Sequence, residues 1–279
     1  MKLHTIDTGF FKLDGGAMFG VVPKTIWNKT NPADENNLCT WAMRCLLIED
    51  DGRLILVDTG IGNKQDEKFF SHYYLHGSAS LDSSLAALGF HRDDITDVFL
   101  THLHFDHAGG AIIRESEKLK PAFKNASYWS NQQHWDWAVN PNEREKASFF
   151  KENILPIQES GQLKFVTADD GVQFSSNIKV KFAYGHTDAM MLPVIDYKDK
   201  EVVYMADLLP SIGHIPLPYV MAYDMFPLKT LAEKKAFLNE AVEKEYILYL
   251  EHDPVNECCT LQQTEKGIRL KDIFKLSDI

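Results

Sequence analysis

Three histidines and an aspartate fall within six residues of one stretch, Thr101-His102-Leu103-His104-Phe105-Asp106-His107-Ala108-Gly109-Gly110. Imidazole nitrogens and carboxylate oxygens are what borderline and hard divalent ions bind, so this density reads as a metal cradle rather than as packing. Three more residues of the same types stand far apart downstream: His186, Asp207 and His252. Taken singly, each is as well explained as a surface histidine or a solvated carboxylate. Their placement changes that, because each closely follows an apolar run that reads as a strand.

Those runs are the elements that must position the chemistry. Asp97-Val98-Phe99-Leu100 leads straight into the histidine stretch, and a strand over 179–184 ends in Gly185-His186-Thr187. Residues 202–206 form an unbroken apolar run, as in a strand buried on both faces, and stop at Asp207. Residues 246–250 deliver Glu251-His252-Asp253. Strand ends in α/β sheets are where sites collect, since the sheet fixes their positions and the loops leave them accessible.

The remaining pattern predicts a strand, a glycine-rich turn and a second strand over 2–22, and a hairpin of 41–49 and 53–57 around Asp50-Asp51-Gly52. Leu81, Leu85 and Leu88 predict a helix stopped by Gly89, and residues 111–117 the start of another. Thr230-Leu231-Ala232-Glu233 reads as a capping box opening a helix through about Lys244. Aromatic and polar residues mix near 123–158, with Trp129, Trp135 and Trp137 close together, which predicts a helical insertion covering the site. No repeat or flexible linker divides the chain, so one domain over 1–279 is expected.

Composition narrows the partners. The 279 residues are 44% hydrophobic, enough for a sizeable core. A formal net charge of −11 repels phosphate backbones and anionic lipid, so neither nucleic acid nor a membrane is an expected partner. Residues 1–7 include His4 and Asp7 where a secretory signal needs an apolar core, and no apolar run approaches the roughly 20 residues of a bilayer span. A cytoplasmic protein is expected. Cys39, Cys45, Cys258 and Cys259 show no metal or disulfide spacing and read as free, buried thiols.

The series His102-x-His104-x-Asp106-His107, then His186, Asp207 and His252, resembles the ligand pattern of the metallo-β-lactamase superfamily, in order and over nearly the whole chain. That resemblance implies a mixed α/β fold, a four-layer αββα sandwich of two sheets with helices on the outer faces. It implies two zinc ions per chain, iron, cobalt or manganese being alternatives, with His102, His104 and His186 on one ion, Asp106, His107 and His252 on the other, and Asp207 bridging. It also implies that Asp58 steadies a ligand imidazole, although Asp58 before Thr59-Gly60 reads equally as an ordinary turn residue. His104-Phe105-Asp106-His107-Ala108-Gly109-Gly110, Asp207 and Glu251-His252-Asp253 look like the branch of lactonases and organophosphate hydrolases. The opening Asp14-Gly15-Gly16-Ala17-Met18-Phe19-Gly20 is similar to quorum-quenching N-acyl homoserine lactonases.

The implied activity is opening of an acyl homoserine lactone ring by a hydroxide held between two cations, with Asp106 counted among the catalytic residues as well as the ligands. A hydrolase of aryl esters or phosphotriesters is the runner-up, since the same hydroxide attacks either centre, and a non-catalytic ligand-binding metal protein is a third reading. A homodimer is compatible with the resemblance. Two departures bear on the substrate. The family's Gly-His-Thr-Pro-Gly-His is here Gly185-His186-Thr187-Asp188-Ala189-Met190, and the tyrosine that many lactonases carry three residues after the bridging aspartate is here Pro210. His214 and Tyr223 are the donors nearest in sequence to take over from that tyrosine. Met18, Phe19, Trp27, Trp137, Phe149 and Ile215 are candidates for an acyl-chain pocket, with core packing the competing reading for each. Phe150 belongs with them, while His134 and the other histidines read as surface or satisfied core residues.

Overall fold

Strand ends carry the candidate ligands, so the sheets come first. The computed structural model describes residues 1–279 and divides into two compact units, Met1–Gly9 with Met43–Val172, and Phe10–Ala42 with Gln173–Ile279.

In the first unit the strands are β1 (Lys2–Asp14), β2 (Leu38–Asp50), β3 (Arg53–Val57), β4 (Asp97–Phe99), a separate hairpin of β5 (Ile112–Glu115) and β6 (Lys118–Pro121), β7 (Ser127–Asn131) and β8 (Leu163–Val166). β1 and β2 each continue across the boundary between units. Six of them form a sheet in the order β1-β2-β3-β4-β7-β8. β2 and β3 are the antiparallel hairpin expected around Asp51-Gly52, with Asp50 opposite Arg53. β3, β4, β7 and β8 run parallel, so their C-terminal ends share one edge. Asp58, Thr101 and Asn131 emerge there. β4 is buried throughout, as is β3 beyond Arg53, which accounts for the apolar Leu54–Val57 and Val98-Phe99, while buried Asp97 is paired with Arg53.

The second sheet takes β9 (Val172–Ser175), β10 (Ile178–Ala183), β11 (Met190–Tyr197), β12 (Lys200–Tyr204), β13 (Ile247–Tyr249), β14 (Cys258–Thr264) and β15 (Gly267–Phe274) in the order β15-β14-β13-β12-β11-β10-β9. β10 and β12 are each antiparallel to β11, and β12 is parallel to β13. Consequently β10, β12 and β13 point the same way, and His186, Asp207 and His252 leave one edge of this sheet.

Four local expectations are corrected. Residues 15–19 form a helix, Gly15–Phe19, rather than a second strand. Asp14 caps it by accepting the Ala17 N–H at 2.8 Å, and Gly15 is required because a Cβ there would lie 2.3 Å from the Trp27 ring. Residues 111–117 hold strand β5 and the turn Ser116-Glu117 to β6 instead of a helix start: β-branched Ile112 and Ile113 favour extended backbone, and Ser116 takes a φ of +53°. The helix Pro227–Glu243 starts at Pro227, whose fixed φ suits the first helical position, so Thr230 lies inside it. Glu233 is engaged by the Tyr184 and Gly185 N–H groups instead of a capping box. Finally, 123–158 is only partly helical: Ser127–Asn131 is β7, seated between β4 and β8, and the helices Gln132–Val139 and Lys151–Glu159 follow it. No helix is long and apolar enough to cross a membrane.

Candidate metal centre

In the first unit, β4 ends two residues before Thr101. The Thr101 N–H and hydroxyl both donate to Asp58, at 2.8 and 2.7 Å, and His107 Nδ1 donates to the same carboxylate at 3.0 Å. Asp58 has no exposure and a φ of +58°, a strained conformation for a non-glycine residue that the surrounding bonds hold in place. His104 Nε2 donates to Glu145 Oε1 at 2.9 Å. Asp106 and His107 follow on the single-turn helix Phe105–Ala108, where Asp106 Oδ2 lies 3.9 Å from His107 Nε2. The glycines that close the motif serve approach rather than chemistry: a Cβ on Gly109 would fall 2.1 Å from the Ile61 carbonyl oxygen.

In the second unit, His186 Nδ1 donates to Asp224 Oδ1 at 2.8 Å and His252 Nδ1 to the Ala42 carbonyl at 2.7 Å. Their opposite nitrogens meet one carboxylate, His186 Nε2 at 3.1 Å from Asp207 Oδ2 and His252 Nε2 at 3.0 Å from Asp207 Oδ1. Asp207 sits on a 3-10 turn, Ala206–Leu208, whose first residue has a φ of +40°.

The donor chemistry fits divalent ions. The Thr101 hydroxyl spends its proton on Asp58 and so accepts from His102 Nδ1 at 3.1 Å, which leaves His102 Nε2 as a bare lone pair. By the same logic the bond from His104 to Glu145 leaves His104 Nδ1 bare, and these two nitrogens are 3.1 Å apart. Lone pairs so opposed repel unless a cation lies between them. In the second unit, the Nε2 atoms of His186 and His252 face the Asp207 carboxylate oxygens, where a proton or a cation can bridge each pair. Burial lowers the proton affinity of His186, yet Asp207 and then Asp224 outweigh that and raise it to about 10. A proton is thus drawn to the place where an ion fits.

The substrate-side expectations fare differently. His214 is not available as a donor to substrate: it is buried, its Nε2 donates to the Met18 carbonyl at 2.9 Å, and its Nδ1 accepts from the Ser211 hydroxyl at 2.9 Å. Burial, partly offset by the Met18 carbonyl, lowers it to about 3 and keeps it neutral. Phe19 stacks between His214 and Trp27, at 4.4 and 5.3 Å between centroids, and Met18, Phe19, Trp27 and Ile215 are all buried, which agrees with the core-packing alternative for these four. Phe149 is nearly buried with its ring 4.8 Å from that of His104. Trp137 is half-buried and donates its indole N–H to Glu145 Oε2 at 2.6 Å. Tyr223 is 38% exposed.

Several residues escaped the sequence reading. Glu145 sits in an undistinguished polar run, and Asp224 lies 38 positions from the histidine that it holds, with no motif to link them. A half-buried aromatic cluster was also missed: Phe69 and Tyr73 pack on Phe105 at 5.5 and 4.8 Å, and Phe150 on Phe69 at 5.3 Å. Its signal is Phe69-Phe70 followed by Tyr73, one helical turn after Phe69, in an otherwise polar stretch.

Strand-end histidines and aspartates backed by hydrogen bonds make a candidate metal-binding site. Residues 44–252 match the metallo-beta-lactamase superfamily, and the chain belongs to that superfamily. Among curated relatives, the N-acyl homoserine lactonase of Bacillus thuringiensis is 24% identical over 196 residues, 67% of this chain and 66% of its own length. The chain therefore spans just under two thirds of that relative. The N-acyl homoserine lactonase of Bacillus cereus is 23% identical over 214 residues, 73% of this chain and 74% of its own. A probable metal-dependent hydrolase from Staphylococcus aureus superposes with a TM-score of 0.88 at 27% identity, covering 98% of this chain and 96% of that one. AidC, a dizinc quorum-quenching lactonase solved with the product N-hexanoyl-L-homoserine, superposes at 0.79 with 24% identity, covering 98% and 95%. The mixed α/β metallo-β-lactamase fold expected from the sequence is thus the fold found.

Proposed function

We propose that the chain is a dinuclear metal hydrolase that opens the ring of N-acyl homoserine lactones, its two units acting as one domain. In this reading His102, His104, His186 and Asp207 hold one ion and Asp106, His107 and His252 the second, with Asp207 shared. The observation that carries it is the close approach of His102 and His104 ring nitrogens in the first unit, and of the His186 and His252 Nε2 atoms to the Asp207 carboxylate in the second. Zinc suits nitrogen and oxygen donors of this kind, as do iron, cobalt and manganese. Two bound ions would supply Lewis-acid stabilisation of the developing oxyanion and lower the pKa of a water toward neutrality.

The chain's own residues do the rest. Thr101, Asp58, Asp224, Glu145 and the Ala42 carbonyl fix each ring by the nitrogen that faces away from the ions. Asp106 takes the proton lost as water adds to the acyl carbon and returns it to the alkoxide released when the ring C–O bond breaks. The products are an alcohol and a carboxylate, with one proton released to solvent near neutral pH. Tyr223 is the remaining candidate to donate to the substrate carbonyl, and residues 132–159 to cover the site.

Hydrolysis of aryl esters or phosphotriesters is kept as a second reading because of the aromatic cluster. Phe69, Tyr73 and Phe150 pack with Phe105 of the ligand helix into one compact aromatic cluster, a surface that suits a ring better than a long acyl chain, and Pro210 offers no phenol. Metal analysis together with a proton-release assay decides between them. Two ions per chain with turnover of acyl homoserine lactones is the expected result. Two ions with turnover of aryl esters or phosphotriesters and none of lactones selects the second reading.

A further inference from the structure

Residues 142–148 form a tight turn clipped to the ligand helix at two points. Asn142 accepts the Glu145 N–H through its carbonyl at 3.2 Å and through its side chain at 3.1 Å, and the Ser148 N–H donates to the Glu145 carbonyl at 2.8 Å. The Ser148 carbonyl then accepts the Phe105 N–H at 2.9 Å, one residue from His104. The second clip is the bond from His104 Nε2 to Glu145 Oε1.

Glu145 is completely enclosed, its side chain without exposure. Its Oε2 receives the Trp137 indole N–H at 2.6 Å. Imidazole and indole are both neutral donors, and a buried carboxylate served by neutral donors is expensive unless positive charge lies nearby. An ion on the far nitrogen of His104 provides it, because the ring is polarised from both sides. Charge at that ion therefore stabilises the buried carboxylate, and the carboxylate makes the imidazole a better ligand.

We infer that Glu145 and Trp137 are a positioning pair for His104, so that loading of the ion at His104 and ordering of residues 132–148 are one linked equilibrium. The inference rests on the dinuclear reading. By reciprocity of linkage, each process strengthens the other by the same factor.

The test measures ion affinities by competition with a chromophoric chelator and follows the indole N–H resonances of 15N-labelled protein. Glu145→Gln replaces the carboxylate by an amide that cannot serve both N–H donors with acceptor oxygens. It is expected to keep one ion at the wild-type affinity and to bind the other about 10–100-fold more weakly. The Trp137 resonance, assigned as the one lost in Trp137→Phe, is expected to shift between chelated and loaded wild-type protein and to stay fixed in Glu145→Gln. Should Glu145→Gln fail to fold, Trp137→Phe carries the test, with a several-fold loss at the same ion expected. Two ions at wild-type affinity in both variants, or an indole resonance unmoved by loading in the wild type, overturns the inference alone. A wild-type chain that takes up no ion overturns the dinuclear reading and this inference with it.

Discussion

The two units contribute candidate ligands in opposite styles. The first presents four in six consecutive residues, 102–107, on one strand end and the helix turn after it. The second presents three from three separate strands, His186 after β10, Asp207 after β12 and His252 after β13. In the first, position is set by the local chain, and the supporting groups are carboxylates brought from elsewhere, Asp58 and Glu145. In the second, position is set by the sheet, and the two imidazoles converge on one carboxylate, Asp207. A contiguous half tolerates loss of one member better than a half built around one shared residue.

Asp207→Ala should therefore produce the largest effect of any single change. It removes the acceptor facing both His186 and His252, and in the proposed centre the only ligand common to both ions. Metal content is expected to fall below one ion per chain, and kcat/KM by about three orders of magnitude or more. The same change at His104 in the first unit should leave one ion in place. Equal metal contents for the two variants would break the contrast.

The supporting carboxylates sharpen it. Asp58→Asn and Asp224→Asn each preserve shape while removing the charge behind one imidazole, His107 in the first unit and His186 in the second. Each is expected to cost about 10–100-fold in affinity at a single ion. Because Asp58 also accepts from the Thr101 backbone and hydroxyl, its variant should lower the unfolding midpoint as well, whereas Asp224→Asn should act mainly on the metal. Cobalt titrations alongside thermal melts separate the two effects.

This contrast also explains what was legible in the sequence. His102 to His107 announce themselves by density, and His186, Asp207 and His252 by following apolar runs that did become β10, β12 and β13. Their supports carry no such mark. Glu145 and Asp224 act across 41 and 38 residues of chain, and a lone acidic side chain acquires meaning only when folding buries it against an imidazole. Met18, Phe19 and Trp27 were ambiguous for the converse reason. Their apolar character fits a pocket or a core equally, and the capped helix Gly15–Phe19, unforeseen from its two glycines, turns Phe19 inward between Trp27 and His214. The hairpin at 112–121 was missed because Ile112-Ile113 suits either element until β6 supplies the partner.

His214 tests the reassignment from donor to core residue. Its folded pKa of about 3 lies below the unfolded value near 6.5, so the native state binds fewer protons than the unfolded chain between those limits. Its contribution to stability is thus fully present above about pH 6.5 and lost as the pH falls toward 3, at up to about 1.4 kcal/mol per pH unit. In metal-loaded protein, His214→Gln should flatten the fall of the urea midpoint between pH 6.5 and 4 while leaving kcat near the wild-type value. A large loss of kcat with an unchanged pH profile would return His214 to the site.

The smallest expected effect concerns Tyr223, the phenol proposed to do the work that Pro210 cannot. It is partly exposed and adjacent to Asp224, so its backbone is anchored through the bond from His186 while its ring stays open to solvent. Removing one neutral hydrogen-bond donor to a developing oxyanion costs about 1 kcal/mol or somewhat more, which is roughly five- to tenfold in rate. Tyr223→Phe should lower kcat by about that factor with no change in metal content or melting temperature. Loss of metal would instead mean that the residue acts through Asp224, as a support of the second unit's half of the centre. Unchanged kcat on lactone, aryl-ester and phosphotriester substrates alike would leave carbonyl polarisation to the ions alone, consistent with a chain that carries proline at 210 and no substitute phenol.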